Sequence, residues 1–300
     1  MGNRINPPSP ISHPASLSPG QLAQVACLLE VSARKPGNVH RFRDFEDATY
    51  LDFVLSAAAI AGPLDGVRRL GVGATVLGAI EATRRLVATN TNLGMVLLLA
   101  PLAAVTEGIG LREGVAAVLE GLTIEDARLV YRAIRLAQPG GLGTASEQDV
   151  ATEPTVTLRD AMCLAADRDA IARQYANGFA EVFAIALPAL QAALAAGEPL
   201  EAAIVTAYLT LLARVPDTLI ARKLGPAMAA EASRRAAEAL EAGRTPEALA
   251  ALDAWLRADG HARNPGATAD LTTAALFVAL RDGTIGLPLL PGPIGWSGAA

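Results

Sequence analysis

Cysteine and histidine are scarce in this chain of 300 residues, which contains two cysteines and three histidines. Two cysteines cannot form a disulfide framework, and their spacing does not match a zinc site. Cys27 and Cys163 both lie in apolar, helix-like runs, so we predict that both thiols are buried. With so few histidines, a His-rich metal site is not expected. This cysteine usage is typical of a reducing compartment, and we expect a cytoplasmic protein.

Aromatic residues and long apolar runs are also few. Aromatic side chains make up 4% of the chain, which leaves few rings to stack on single-stranded bases. The net charge of −5 argues against a protein that coats nucleic acid, and we expect no nucleic-acid partner. Residues 93–105 are too few to span a bilayer, and residues 179–196 include Glu181, Pro188 and Gln191. We therefore predict buried helices and no membrane partner.

Lysine is nearly absent, because only Lys35 and Lys223 of the 25 basic residues are lysines. Arginine supplies the remaining positive charge. The two lysines are explained equally well by chance and by a functional role at their positions. The functional alternative is that their ammonium groups bind phosphate.

Alternating β-branched segments bounded by turns are missing, which argues against a large sheet. Alanine and leucine dominate, and both favour helices. We predict an all-α fold with a single multi-helix globular domain over residues 19–286. We expect a flexible N-terminal tail over 1–18 and an extended tail rich in proline and glycine over 287–300.

Cap residues predict where the helices begin. Ser18-Pro19-Gly20-Gln21 has the capping-box pattern, and so does Thr123 with Asp126. We predict one long helix over 169–196 with a kink at Pro188, and a non-helical segment over 138–156. Another helix opens at Thr157. The other predicted helices span about 19–33, 46–61, 73–88, 93–105, 111–119, 124–137, 200–213, 217–224, 227–242, 246–258 and 268–281.

Residues 30–40 bring Arg34, Lys35 and His40 together just after a predicted helix end. Cations at a helix C-terminus are stabilised by the helix dipole, which is the structural explanation. The functional alternative is a phosphate site, because lysine and arginine both bind phosphate oxygens.

Four polar residues, Thr89 to Asn92, precede the apolar helix predicted over 93–105. A single residue suffices for a cap, so a nest that binds an anion or a ribose is equally supported. Asn90 and Asn92 are the candidates. The glycine-rich segment 139–144 lacks the Lys-Ser/Thr pair and the preceding strand of a P-loop, so loop flexibility explains it equally well.

Acidic residues occur near the start of the helix predicted over 169–196. Asp169 and Arg173 have the spacing of an ion pair on one helix face, which is the structural interpretation. Alternatively, Asp167 and Asp169 could bind Mg²⁺, which prefers carboxylate oxygens together with substrate phosphates.

Two further helix starts also contain aspartate. Asp217 precedes a short helix that ends at Arg222 and Lys223. Asn264 lies in a polar loop, and Asp270 follows in the first turn of an apolar helix. Ordinary capping explains each position. A substrate or metal site is the alternative.

Several of these motifs recur together in one known family. They are Glu30-Val-Ser-Ala with Lys35-Pro-Gly, Asp47 with Ser56-Ala-Ala-Ala, Asn90-Thr91 with Gly94, Asp217-Thr218 with Arg222, and Asn264-Pro265-Gly266 with Ala269-Asp270-Leu271. In this order, over residues 20–282, the chain resembles the triphosphoribosyl-dephospho-CoA synthase family. No single motif is specific, but the ordered set is hard to obtain by chance.

The resemblance implies an all-helical transferase that uses ATP with Mg²⁺. In the family's named reaction, the 2-hydroxyl of the dephospho-CoA ribose attacks the anomeric carbon of ATP, and adenine leaves. Such a transfer needs a clamped triphosphate, a stabilised leaving base and a deprotonated hydroxyl. The expected partners are ATP and a small phosphorylated coenzyme precursor.

The resemblance also suggests roles for individual residues. The candidates for substrate or phosphate binding are Lys35, His40, Asn90, Asn92, Arg222, Lys223 and Asn264. The candidates for catalysis are Asp47, Asp217 and Asp270. Of these, the candidate ligands for Mg²⁺ are Asp217 and Asp270.

Two segments depart from the family pattern. Where members typically read Asn-Thr-His-Lys-Gly, this chain reads Asn90-Thr91-Asn92-Leu93-Gly94, and His40 stands where members usually have aspartate. The chain is more similar to the divergent branch found in archaea and methylotrophs. An enzyme of one-carbon, methanopterin-type coenzyme synthesis is therefore a second hypothesis. A non-catalytic helical adaptor is the third.

Overall fold

The computed structural model describes residues 17–140 and 143–289 and confirms the all-α prediction. Within these ranges the chain forms helices and no strand, apart from one isolated bridge between His40 and Arg43. The α-helices are α1 Pro19–Ser32, α2 Tyr50–Asp65, α3 Val67–Leu70, α4 Val72–Arg84, α5 Leu93–Ala104, α6 Leu111–Glu120, α7 Ile124–Ala137, α8 Leu158–Ala165, α9 Ala170–Asn177, α10 Leu187–Ala195, α11 Leu200–Arg214, α12 Thr218–Leu224, α13 Pro226–Glu241, α14 Pro246–Arg257 and α15 Gly266–Arg281.

The predicted caps set the helix starts. The Ser18 hydroxyl accepts a hydrogen bond from the Gln21 N–H, and the Gln21 side chain accepts one from the Ser18 N–H. Thr123 and Asp126 form the same reciprocal pair at the start of α7. The second helix begins at Tyr50, not at residue 46, because Thr49 and Asp52 form a further capping box there. Caps of this kind satisfy backbone donors that have no partner within the helix.

The predicted long helix over 169–196 is wrong in its continuity. The chain turns by 91° between α9 and the segment Val182–Ala195, and Gly178 and Phe179 both have positive φ there. A π-helical turn, Val182–Ala186, leads into α10. Pro188 lies in the first turn of α10, directly after the π-helical turn.

Helices α5 and α15 form the centre of the core. Ten residues of α5 and thirteen of α15 are buried, and α15 packs against α1, α5 and α11. A smaller apolar cluster joins α11 to α14 and reaches α15 through Ala269. Helices with so little polar surface are stable only inside such a core.

Cys27 is buried in this core, whereas Cys163 is exposed, so the second buried-thiol prediction is wrong. Residues 1–16 and 290–300 lie outside the described ranges and include most of the two predicted tails. Within the described ranges, no single helix is both long and apolar enough to cross a bilayer, although two bent helix pairs reach that length and composition together.

Candidate active site

A cavity of about 530 Å³ opens where several helix ends meet. This volume is in the usual range for small-molecule sites. The N-terminal ends of α5, α9 and α15 and the C-terminal end of α12 contribute to its wall. Helices α2, α7 and α8 and the loops between α1 and α2, before α5, after α7 and before α15 also line it.

The cavity brings together seven of the ten predicted site residues from distant parts of the chain. These are Asp47, Asn90, Asn92, Arg222, Lys223, Asn264 and Asp270. The other three, Lys35, His40 and Asp217, lie outside its lining. The fold therefore places most of the polar segments around a single space.

Asp270 is the distinctive carboxylate of the cavity. No described group donates a hydrogen bond to it, although it packs so closely on α5 that a Cβ added to Gly94 would lie 2.0 Å from its Oδ2. Burial raises the pKa of Asp270 well above its usual range, and the nearby carboxylates of Glu30, Asp217 and Asp169 raise it further. A carboxylate with a raised pKa in a cleft is a candidate general base.

Gly94→Ala is expected to destabilise the protein by about 1–3 kcal/mol, because the added methyl group would overlap the Asp270 carboxylate. Gly78→Ala is the matched control. Gly78 lies within α4 and has no atom near an added Cβ, so alanine there should stabilise by about 0.5–1 kcal/mol. Chemical denaturation of both variants measures the difference. Equal stability of the two variants would contradict the close packing at Gly94.

Asp169, Arg222 and Asn264 border the same space. Arg222 pairs with Asp169, whose Oδ1 accepts the N–H groups of Ile171 and Ala172 at the start of α9. The Arg222 Nε and the Asn264 Oδ1 are both buried without a hydrogen-bond partner among the described residues. A buried polar atom without a partner is costly, and a bound ligand would satisfy these two.

The helical ion pair predicted for Asp169 and Arg173 is not formed. Arg173 donates instead to Glu181, with 2.6 Å between Nε and Oε1. The 91° turn after α9 brings Glu181 back against α9, and Asp169 is left to cap α9 and to bind Arg222. An uninterrupted helix would not have allowed this exchange of partners.

The two asparagines before α5 are held in different ways. The Asn92 amide donates to Thr83 Oγ1 at 3.0 Å and is buried. The Asn90 Oδ1 accepts the Leu93 N–H at 3.2 Å, so it acts as a local cap. The Asn90 amide nitrogen forms no hydrogen bond within the described residues and remains the freer of the two groups for a ligand.

Comparison with known proteins gives the family. The sequence profile described as ATP:dephospho-CoA triphosphoribosyl transferase matches residues 16–287. The chain belongs to this family. A crystal structure from Archaeoglobus fulgidus, described as that of a proposed triphosphoribosyl-dephospho-CoA synthase, is similar with a TM-score of 0.61 and 29% identity. The match covers 76% of this chain and 98% of that one. No curated protein sequence matches significantly.

Membership in a transferase family favours the two enzyme hypotheses over the non-catalytic adaptor. It also gives a context for Lys35, which belongs to the motif that suggested the family. Its side chain is fully buried, with Nζ 3.0 Å from Glu30 Oε1, and it donates to the carbonyls of Glu30, Ala33 and Val39. These contacts fix the loop that carries Asn38 into the cavity wall.

His40 lies beside this buried pair. Burial and the nearby Lys35 ammonium lower the pKa of His40 to about 4, and its Nδ1 accepts the Phe42 N–H at 3.3 Å. The imidazole is therefore neutral near pH 7. A neutral ring outside the cavity lining cannot supply the positive charge expected of it at a phosphate site.

Asp217 joins two helices below the cavity. Its Oδ1 accepts the N–H groups of Leu219 and Ile220, and its Oδ2 accepts the N–H and the hydroxyl of Thr268. The side chain is 1% exposed. The four donors occupy both carboxylate oxygens, so this arrangement suits fixing α12 to α15 better than binding a metal ion.

Within the described residues, no group of three or more Asp, Glu, His or Cys side chains is arranged to hold a metal ion. Mg²⁺, however, is commonly bound by one or two carboxylates together with substrate phosphates. Asp270 meets the positional requirement, because it lines the cavity and accepts no hydrogen bond from a described residue, but its raised pKa suits a base better than a metal ligand. Asp217 does not fit it.

Two stacked rings of the cavity were not among the predicted site residues. Phe45 and His261 stack with ring centroids 4.6 Å apart, and both line the cavity. Asp47, which was predicted, has its Oδ1 3.4 Å from His261 Nε2. The only sequence signal was the polar loop that begins with His261. Phe45 had none, because its partner lies more than 200 residues away.

Proposed function

We propose that this protein transfers the triphosphoribosyl group of ATP to dephospho-CoA and releases adenine. Family membership supports the reaction. The observation that carries it is one cavity lined both by Asp270, which accepts no hydrogen bond from a described residue, and by Arg222 and Lys223 in the last turn of α12. A transfer between two phosphorylated substrates needs both features.

In this proposal, Lys223 and Arg222 attract the triphosphate, and the Arg222 Nε gains the acceptor that it lacks. Asp270 accepts the proton of the attacking hydroxyl, for which a raised pKa is suited. Mg²⁺ bound with the triphosphate would be held by the phosphate oxygens and would neutralise phosphate charge. Asn264 offers its unpartnered oxygen to a ribose hydroxyl or an amino group.

The reaction is tested by incubating the protein with ATP, Mg²⁺ and dephospho-CoA and measuring free adenine. We expect adenine to appear in proportion to the acceptor consumed, with ADP and inorganic phosphate absent. CoA is the control acceptor, because it differs from dephospho-CoA only in the phosphate on the 3-hydroxyl of the same ribose. Release of ADP or phosphate in place of adenine would contradict the proposal.

A second candidate is the same transfer to another acceptor, of the one-carbon coenzyme type. Leu93 lines the cavity where the family typically has a cation, and the Asn92 amide is already bound to Thr83. These residues change the charge offered to the acceptor without altering Asp270 or α12. Adenine release with such an acceptor, but not with dephospho-CoA, would support this candidate.

Lys223→Ala is expected to weaken binding of inorganic tripolyphosphate by about fivefold, because an exposed ammonium at a phosphate site contributes about 1 kcal/mol. Lys223 lines the cavity and has no ion-pair partner among the described residues. Arg234→Ala, on the outer face of α13, is the control and should bind normally. Isothermal titration at two salt concentrations measures both. Equal affinity of the two variants would exclude Lys223 from the phosphate site.

A further inference from the structure

The Phe45–His261 stack is built as a flat wall of the cavity. The two rings are inclined by only 25°, and the Arg257 guanidinium lies 5.2 Å from the Phe45 centroid. Arg257 and His261 thus both pack on the Phe45 ring, while the His261 side chain remains 26% exposed. The imidazole is therefore the ring of this pair that can receive a further planar group.

The position of the imidazole is fixed by more than the stack. His261 has φ of +58°, a conformation uncommon for residues other than glycine, and its carbonyl accepts the Asn264 N–H at 3.0 Å. The Asp47 Oδ1 lies 3.4 Å from Nε2 at the edge of the ring. Backbone strain of this kind persists where the surrounding structure requires it, often in binding sites.

The stack is connected to the phosphate candidates through one short loop. Asn264 follows His261 by three residues, and its buried Oδ1 has no partner among the described residues. The next helix begins at Gly266, where an added Cβ would lie 2.7 Å from the Leu219 side chain of α12. Leu219 is one turn from Arg222 and Lys223. The loop therefore connects the Phe45–His261 stack to the end of α12 that carries Arg222 and Lys223.

We propose that His261, backed by Phe45 and flanked by Asp47, is the stacking surface for an adenine base. This inference rests on the proposed function and adds the base-binding residues to it. A purine stacks well on a flat ring, and Asn264 is placed to accept a hydrogen bond from an amino group or a hydroxyl. ATP and dephospho-CoA both contain adenine, so the shared chemistry is the adenine nucleotide.

The test compares ligands that contain adenosine with ligands that lack it. ATP is titrated against inorganic tripolyphosphate, and dephospho-CoA against 4′-phosphopantetheine, in the full-length protein. The variant His261→Asn removes the ring while keeping a residue that tolerates positive φ, and Phe45→Leu removes its backing. Phe42→Leu is the matched control, since Phe42 is 59% exposed and lies outside the cavity lining.

We expect His261→Asn to weaken binding of the adenine ligand on the order of tenfold and Phe45→Leu to weaken it less. Tripolyphosphate and 4′-phosphopantetheine should bind as to the unmodified protein. If only ATP binds more weakly, the stacking surface belongs to the site of the donor nucleotide. If only dephospho-CoA binds more weakly, it belongs to the site of the acceptor. Melting temperatures identify any variant that is not folded, and His261→Phe, which restores a ring, should restore affinity.

Equal losses for ligands with and without adenine, or no loss for either adenine ligand, would overturn the inference. In both cases the proposed function would stand if the unmodified protein binds ATP and releases adenine. If the unmodified protein binds neither adenine ligand, the proposed function fails together with the stacking surface. The two failures are therefore distinguishable.

Discussion

Replacing Lys35 by methionine is expected to destabilise the protein by about 3–5 kcal/mol. The substitution leaves the Glu30 carboxylate buried without its counter-ion and removes the donor to three backbone carbonyls. A loss of this size is a large part of the roughly 5–15 kcal/mol that stabilises a typical domain. Urea denaturation monitored by circular dichroism measures it.

The control is the double variant Lys35→Met with Glu30→Leu, which removes both charges and should recover part of the lost stability. Lys223→Met, at an exposed lysine, should leave stability within about 0.5 kcal/mol of the unmodified protein. An unchanged unfolding midpoint for Lys35→Met, together with a large loss of tripolyphosphate affinity, would show instead that Lys35 contacts phosphate directly.

The two lysines show what the sequence can and cannot predict. Both follow or end a helix, and both were equally good phosphate candidates by residue type. Only the folded chain distinguishes them, because the loop after α1 turns Lys35 back onto Glu30 while Lys223 remains exposed. Burial of a polar side chain depends on contacts that local sequence does not specify.

The fold was easier to predict than the site. Helix starts depend on caps within four residues, so the boxes at Ser18 and Thr123 could be recognised directly. The turn at Gly178 and Phe179 was missed because the residues on both sides favour helix. The pairing of Arg173 with Glu181 depends on this turn, so it was not predicted either.

The family resemblance suggested which segments contribute to the site, but not which side chain reaches the cavity. Asp217 and Asp270 are both aspartates near helix starts in family motifs. Asp217 is held by four donors outside the lining, whereas Asp270 has none among the described residues and lies on the wall. Hydrogen-bond satisfaction, which needs the tertiary structure, separates the positioning residue from the candidate for catalysis.

Asp270→Asn is therefore expected to reduce adenine release by about 10²–10⁴-fold, the usual contribution of a positioned general base. The amide has nearly the same shape, so the packing against Gly94 is kept. Steady-state release of adenine from ATP and dephospho-CoA measures the loss, and Asp282→Asn is the control for an exposed carboxylate outside the cavity lining.

The pH dependence distinguishes a lost base from a damaged fold. Because the pKa of Asp270 is raised in the folded protein, its protonated form is favoured there, and ionising it costs stability as the pH rises through that pKa. Asp270→Asn should thus be at least as stable as the unmodified protein at pH 8, with the difference vanishing below about pH 4. The unmodified enzyme should gain activity as the pH rises through the raised pKa, and the variant should not. A variant that is less stable at pH 8 would contradict the raised pKa of Asp270, and one that keeps the rise in activity would show that Asp270 is not the base.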